Sequence, residues 1–191
     1  MNTTFNFPIV IAGVTCAGKT SFAKALVEKL PNVSRVVSYT TRAPRKEERD
    51  GVDYHFISNE KFGEMLRNGQ FVEHTTRASS NGVVFYGTAK ADFMDSAKKI
   101  AVMDLVGVRS LKSLGIDFTS VLLNIDENIA LDRAVKRGDS KKEVLVRLRA
   151  DSVAFTDVDN LFDLVLDGSK PIEENIARLL VDNNNCELPT T

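Results

Sequence analysis

From Phe7 to Ala12 the chain is apolar with hardly a break, and from Thr20 to Leu30 the apolar positions Phe22, Leu26, Val27 and Leu30 keep helical spacing until Pro31 stops them. The pattern predicts a buried strand, a loop and a helix. Val33 to Ser38 predicts a second strand. After it, "TTRAPRKEERDGVDYHF" has no period, is basic at its start, and reads as a loop that carries function. Ser58 is placed to cap a helix running through Asn68, with Gly69 as its stop. "FVEHTT" and "VVFYGT" then alternate as strands around "RASSNG", whose Asn81-Gly82 pair suits a hairpin.

A second alternation follows. Thr88 to Lys99 predicts a helix, Ile100 to Leu105 a strand, Val108 to Leu114 a helix closed by Gly115, and Thr119 to Ile125 a strand. "ENIALDRAVKRG" and "SKKEVLVRLRADSVAF" are two basic helices, and the "GDS" between them is short enough to hinge. "FDLVLDG" predicts a last strand, and Pro171 to Val181 a last helix that starts with Pro and acids, as helix starts prefer. Strands alternating with helices predict an α/β fold: a parallel-sheet core flanked by helices, from residues 1–34 and 90–181. Residues 35–89 form an inserted mixed or antiparallel lobe on this reading. The basic helices form a short lid, about 133–149, and 182–191 is a frayed tail.

Composition narrows the class. The 191 residues are 43% hydrophobic and 27% charged, close to the roughly 45–50% and 25% of globular proteins. A net charge of −1 gives no footprint for a nucleic-acid backbone, so nucleic acid is not an expected partner. Two cysteines, Cys16 and Cys186, make no disulfide framework and suit a reducing compartment. No apolar run reaches the roughly 18 residues of a membrane helix, and the N-terminus lacks a basic leader. A cytoplasmic protein, without membrane partners and either monomeric or homodimeric, is expected.

Residues 13–20, "GVTCAGKT", complete the pattern G-x-x-x-x-G-K-[ST] between a predicted strand and a predicted helix. Glycines at those positions let backbone N–H groups turn inward around a polyphosphate, and the helix start aims its positive end at the same point. Gly13, Val14, Thr15, Cys16, Ala17, Gly18, Lys19 and Thr20, with Ser21 beside them, are therefore the candidate residues for binding a nucleotide polyphosphate. Lys19 is expected on the β- and γ-phosphates and the Thr20 hydroxyl on Mg²⁺. Cys16 is either a thiol activated by Lys19 and the helix start or a small residue tolerated there.

A phosphate loop alone does not name the acceptor. Arg42 and Arg45, with Tyr54 and Tyr86, form a second cluster whose guanidinium forks and phenols suit a phosphomonoester. No N-K-x-D base-reading motif of a GTPase is present. The two histidines, His55 and His74, lack partners at metal-ligand spacing and read as structural, and Tyr39 carries no expected role.

In order and spacing, "GVTCAGKT", "VSYTTRAPR", "DGVDYHF", "GQFVEH", "FYGT" and "VMDLVGVRS" resemble the guanylate kinases, which convert GMP and ATP to GDP and ADP. The resemblance runs from about Pro8 to Leu180, and "SYTTRAPR" followed by G-x-D-Y-x-F is its most specific part. It implies that Arg42, Arg45, Tyr54 and Tyr86 hold the GMP phosphate while Ser38, Glu73 and Thr88 read the base. A carboxylate at Glu73 accepts guanine N1–H and the 2-amino group together, whereas adenine presents a bare acceptor there. Asp104 matches either the second acid of the family's D-I-D or E-I-D pattern or, with a two-residue deletion, the first. Its implied role is thus divided between the acceptor and Mg²⁺. In the ungapped alignment Val102 and Val106 replace polar residues. Arg133 and Arg137, four apart on one helical face, and Arg147 beyond the hinge are implied to cover the ATP phosphates when the lid closes. The implied catalytic set is Lys19, Arg42, Asp104, Arg137 and Arg147, with ATP as donor, Mg²⁺ as cofactor, and GMP or dGMP as acceptor. The alternatives are a related kinase acting on another nucleotide or a ribose bisphosphate, a phosphopeptide-gripping module of guanylate-kinase type, and a nucleotide sensor without turnover.

Overall fold

Both faces of the first strand are buried, and this sets the architecture of the core. In β1 (Ile9–Gly13), Ile9 and Ile11 face one way and Val10 and Ala12 the other, and all four are fully buried. Only a strand covered on both sides tolerates that run. The computed structural model describes residues 6–79, 82–94 and 97–182. β1 lies between β7 (Lys98–Val102) and β8 (Thr119–Asn124); β2 (Val33–Arg35) flanks β7 and β9 (Leu164–Asp167) flanks β8. All four pairings in this five-stranded sheet are parallel.

On one face Ile9, Ile11, Val121 and Leu123 pack against Phe22 and Leu26 of α1 (Lys19–Lys29) and Ile176 and Leu179 of α6 (Ile172–Asp182). The same cluster takes in Ala130 and Ala134 of α4 (Glu127–Lys136) and Val144 and Leu148 of α5 (Lys141–Ala154). Val108 and Leu111 of α3 (Leu105–Ser113) cover Val10, Ala12, Ala101 and Leu122 on the other face. The loop after β1 therefore opens at the carboxyl end of a central strand, where ligands of open α/β sheets bind.

The second sheet has the order β4-β3-β6-β5, from β3 (Tyr39–Thr40), β4 (His55–Phe56), β5 (Phe71–Ser79) and β6 (Gly82–Ala89). β3 and β4 are parallel; β3–β6 and β5–β6 are antiparallel. α2 (Asn59–Arg67), capped by Ser58 through a 3.2 Å bond from the Lys61 amide, buries Phe62 and Met65 against Phe71. Tyr39 stacks on His55 at 4.6 Å and meets Phe71 edge-on. The other face of the sheet is left for Tyr86, Glu73 and Thr88.

Several boundaries differ from the sequence reading: the strand expected over Ile100 to Leu105 runs from Lys98 to Val102, and Arg77 to Ser79 of the expected hairpin loop extend β5. The helix expected over Thr88 to Lys99 does not form: Thr88 and Ala89 close β6, Lys90–Phe93 make one 3₁₀ turn, and Lys98 opens β7. Pairing of Thr88 with Glu73 and Ala89 with Phe71 overrides the local helical spacing. β2 ends at Arg35, where its ladder with β7 ends. α3 begins at Leu105 because the Asp104 carboxylate caps it, accepting from the Gly107 amide at 3.1 Å. Asn81 of the expected turn and Cys186 of the expected tail lie outside the described residues; Ser79 and Gly82 pair across the hairpin. Among the described residues no helix is long and apolar enough to cross a membrane.

Candidate active site

The loop between β1 and α1 folds tightly against the sheet. Gly13 has φ of 148°, and a methyl at its Cα would stand 2.3 Å from the Leu123 carbonyl oxygen, so glycine is required there. The Lys19 ammonium turns into the loop and donates to the carbonyls of Gly13 and Val14 at 2.7 and 2.8 Å. Shielding from water lowers its pKa to about 8, against the opposing pull of Asp151. Asp151, from α5, accepts from the Thr15 amide at 2.6 Å. The loop thus already holds one anion, through a main-chain amide of the kind suited to phosphate. Cys16 has a positive φ of 63°, Ala17 is buried, and Thr20 and Ser21 stand exposed in the first turn of α1.

The three arginines expected to form the lid divide. Arg133 lies over the loop, its Nη1 3.7 Å from where a methyl on Gly18 would be. Arg137 is the C-cap of α4 rather than a residue within it; it donates to Cys16 Sγ at 3.4 Å and pairs with Asp139. Arg147 turns along its own helix, its Nε 3.4 Å from the Glu143 carbonyl. Burial pushes the Asp139 carboxyl up, but the Arg137 bond and the charges of Arg147 and Arg45 hold it below its ordinary range. The junction between α4 and α5 thus pairs Arg137 with Asp139.

Arg42 is gripped on all sides. Its Nη1 and Nη2 each donate to Glu48 at 2.8 Å, and its guanidinium stands over the Tyr54 ring at 5.3 Å and the Phe56 ring at 5.7 Å. The Glu48 bond, chiefly, raises its pKa, with Tyr86 contributing. Glu48 also accepts from the Arg45 amide at 2.7 Å, while the Arg45 side chain is exposed. The Tyr54 and Tyr86 rings meet at 5.9 Å, and burial raises the Tyr54 pKa. The four residues expected to share a phosphate lie on one stretch of surface.

The expected base readers form a hydrogen-bonded chain. Thr88 donates to Glu73 at 2.8 Å, and its hydroxyl lies 3.1 Å from that of Ser38. Burial, aided by the nearby Asp104 charge, raises the Glu73 pKa from 4.5 to about 7. α3 approaches β5 closely enough that a methyl on Gly107 would stand 3.1 Å from Glu73 Cγ and 2.6 Å from Met103 Cε. Asp104 accepts from the Gly107 amide beside Glu73, and the neighbouring Met103 amide donates to the Ile11 carbonyl of β1 at 3.1 Å, so Asp104 sits near both the expected base readers and the strand that opens into the phosphate loop. Val102 is half-buried in the core and Val106 is exposed.

Four polar residues at this cleft escaped the sequence reading: Glu48, Arg77, Asp139 and Asp151. Strand parity could have found Arg77, which follows Glu73 by four residues on one face of β5. Nothing local marks Asp151, which meets Thr15 across 136 residues of sequence.

The sequence model of the guanylate kinase family matches residues 6–180. A guanylate kinase of Helicobacter pylori is 31% identical over 191 aligned residues, covering 95% of this chain and 90% of that protein. One from Thiobacillus denitrificans is 34% identical over 143 residues, which make up 72% of this chain and 66% of that one. A crystal structure of guanylate kinase from Anaplasma phagocytophilum aligns with a TM-score of 0.69 over 97% of this chain and 88% of its own, at 22% identity, a likeness of fold. With a family match across nearly its whole length, the chain belongs to the guanylate kinase family.

Proposed function

We propose that this guanylate kinase family member seats ATP and GMP tip to tip across the cleft and transfers the ATP γ-phosphoryl group to GMP, giving ADP and GDP. The observation that carries this reading is the position of Asp104: its carboxylate caps α3 at Gly107, which packs against Glu73, while the preceding Met103 amide donates to Ile11 of β1, the strand that leads into the phosphate loop, at 3.1 Å. One cleft therefore serves a polyphosphate and a guanine. On the donor side, residues 13–20 cradle the ATP phosphates with main-chain amides, and Lys19 leaves its two carbonyls for the β- and γ-phosphates. Arg133, Arg137 and Arg147 close over them as the lid, about 133–149, moves.

On the acceptor side, the 35–89 lobe holds the GMP phosphate with Arg42, Arg45, Tyr54 and Tyr86. Glu73, oriented by Thr88 and Ser38, accepts from guanine N1–H and the 2-amino group. None of these base contacts addresses the sugar, so dGMP is a second acceptor. Phosphoryl transfer needs positioning and charge neutralisation, and no protein nucleophile takes part.

Mg²⁺ fits the donor set. Thr20 presents a hydroxyl at the start of α1, Asp104 is close by, and among the described residues no group of three or more His, Cys, Asp or Glu forms a cage. A hard ion that keeps phosphate and water as most of its ligands asks for no more. When bound, it neutralises charge on the β- and γ-oxygens. A free, half-buried Cys16 suits a cytosolic setting.

A coupled assay of ADP formation with GMP, dGMP, AMP, UMP and ribose bisphosphate as acceptors tests the reading. Turnover with GMP and dGMP is expected. Equal turnover with AMP, or preference for the bisphosphate, contradicts it.

A further inference from the structure

Arg77 stands in the cleft on the same sheet face as the base reader. The hairpin register sets Glu73 opposite Thr88, Thr75 opposite Tyr86 and Arg77 opposite Val84, which makes Arg77 the diagonal neighbour of Tyr86. Its guanidinium carbon lies 5.5 Å from the centre of the Tyr86 ring. That ring meets Tyr54 at 5.9 Å, and Arg42 stands over Tyr54 at 5.3 Å. Two arginines thus flank one pair of phenols.

What they hold differs. Arg42 is committed to Glu48 through both terminal nitrogens. The Arg77 guanidinium makes no hydrogen bond or ion pair among the described residues, and contact through a ring face commits none of its five N–H donors to an oxygen. The Tyr86 ring beneath it belongs to the cluster proposed to hold the GMP phosphate, so the uncommitted Arg77 donors stand beside the group that receives the γ-phosphoryl.

We propose that Arg77 is a catalytic residue that contacts the equatorial oxygens of the phosphoryl group in transit from ATP to GMP. This rests on the phosphotransfer reading above. In the step, the bond from the γ-phosphorus to the β,γ-bridging oxygen breaks, its electron pair remaining on ADP, while a GMP phosphate oxygen forms the new bond to the γ-phosphorus. Arg77 gives up no proton. Its fixed charge offsets the negative charge spread over the three equatorial oxygens. The lid arginines act from the donor side, and Arg77 arrives with the hairpin from the acceptor side. Tyr86 serves as its shelf, so a lysine, which lacks the planar fork, is an imperfect replacement.

Steady-state kinetics of R77M, R77K and wild type, with ATP and GMP varied separately, test this. The expected result for R77M is a kcat reduced on the order of 100-fold, with the KM for each nucleotide within about threefold of wild type, as an interaction made only in the transition state requires. R77K recovers part of the loss, and both variants keep the wild-type melting temperature because Arg77 is exposed. R77M with wild-type kcat, or with a raised GMP KM and unchanged kcat, overturns the inference and leaves the phosphotransfer reading intact. Should R77M prove unfolded, R77K at wild-type kcat overturns it equally. A wild type that forms no GDP removes the proposed function, and this inference with it.

Discussion

Glu48 holds Arg42 by both guanidinium nitrogens, at 2.8 Å each, in the fork that a GMP phosphate is proposed to use. Both side chains are largely sheltered, 18% and 15% exposed, so breaking the pair leaves a cation short of partners. E48Q is expected to cost about 1–3 kcal/mol in the free protein, seen as a lower melting temperature. GMP then supplies the missing anion. The stabilisation that saturating GMP gives in thermal melts should be larger for E48Q than for wild type; an equal or smaller gain shows that the phosphate does not use this fork.

Asp151 does for the phosphate loop what Glu48 does for Arg42. Its carboxylate occupies the Thr15 amide at 2.6 Å and adds to the positive charge retained at Lys19. ATP bound on residues 13–20 as proposed must displace it. D151N keeps the shape and removes the charge, and a charged hydrogen bond of about 1.5–3 kcal/mol no longer competes, so ATP affinity is expected to rise roughly tenfold. Direct titration of ATP against both proteins measures this, and weaker binding by D151N would show that the acid assists ATP.

If Glu73 reads guanine as proposed, GMP binding depends on pH. Its pKa, raised to about 7 by burial and the Asp104 charge, leaves it partly protonated near neutrality. A protonated carboxyl cannot accept both guanine donors. Between pH 8 and pH 6, GMP affinity should fall about tenfold more in wild type than in E73Q, the latter reporting the titration of GMP itself. Stability moves oppositely. A raised carboxyl pKa favours the folded state below pH 4.5, and that advantage is lost as pH rises through about 7. The melting temperature of E73Q relative to wild type should therefore climb from pH 5 to pH 8. A flat difference across that range places the raised pKa elsewhere.

The core was legible because its signals are local. A strand buried on both faces, a glycine-bracketed loop and a helix with Phe22 and Leu26 on one side announce themselves within twenty residues. The residues gathered around Arg42 and Glu73 could be named from motif order, although the sequence says nothing of the bonds joining them. What stayed hidden depends on distant chain meeting distant chain. Thr88 to Lys99 has helical spacing, yet the hairpin partner strand decides its start. Asp151 reaches Thr15 only because α5 folds back over the loop. Arg77 was hidden for a different reason: one arginine in a polar strand has no motif, and its meaning comes from the Tyr86 ring beneath it.

Initial rates of ADP formation by wild type and K19A, each with and without GMP, test the central claim most directly. If ATP lies on residues 13–20 and passes its γ-phosphoryl group to GMP, wild type forms ADP in step with GDP and only when GMP is present. K19A, lacking the cation on the transferred group, should lose that rate by orders of magnitude. Near-normal turnover by K19A, or ADP formation indifferent to GMP, would contradict the account.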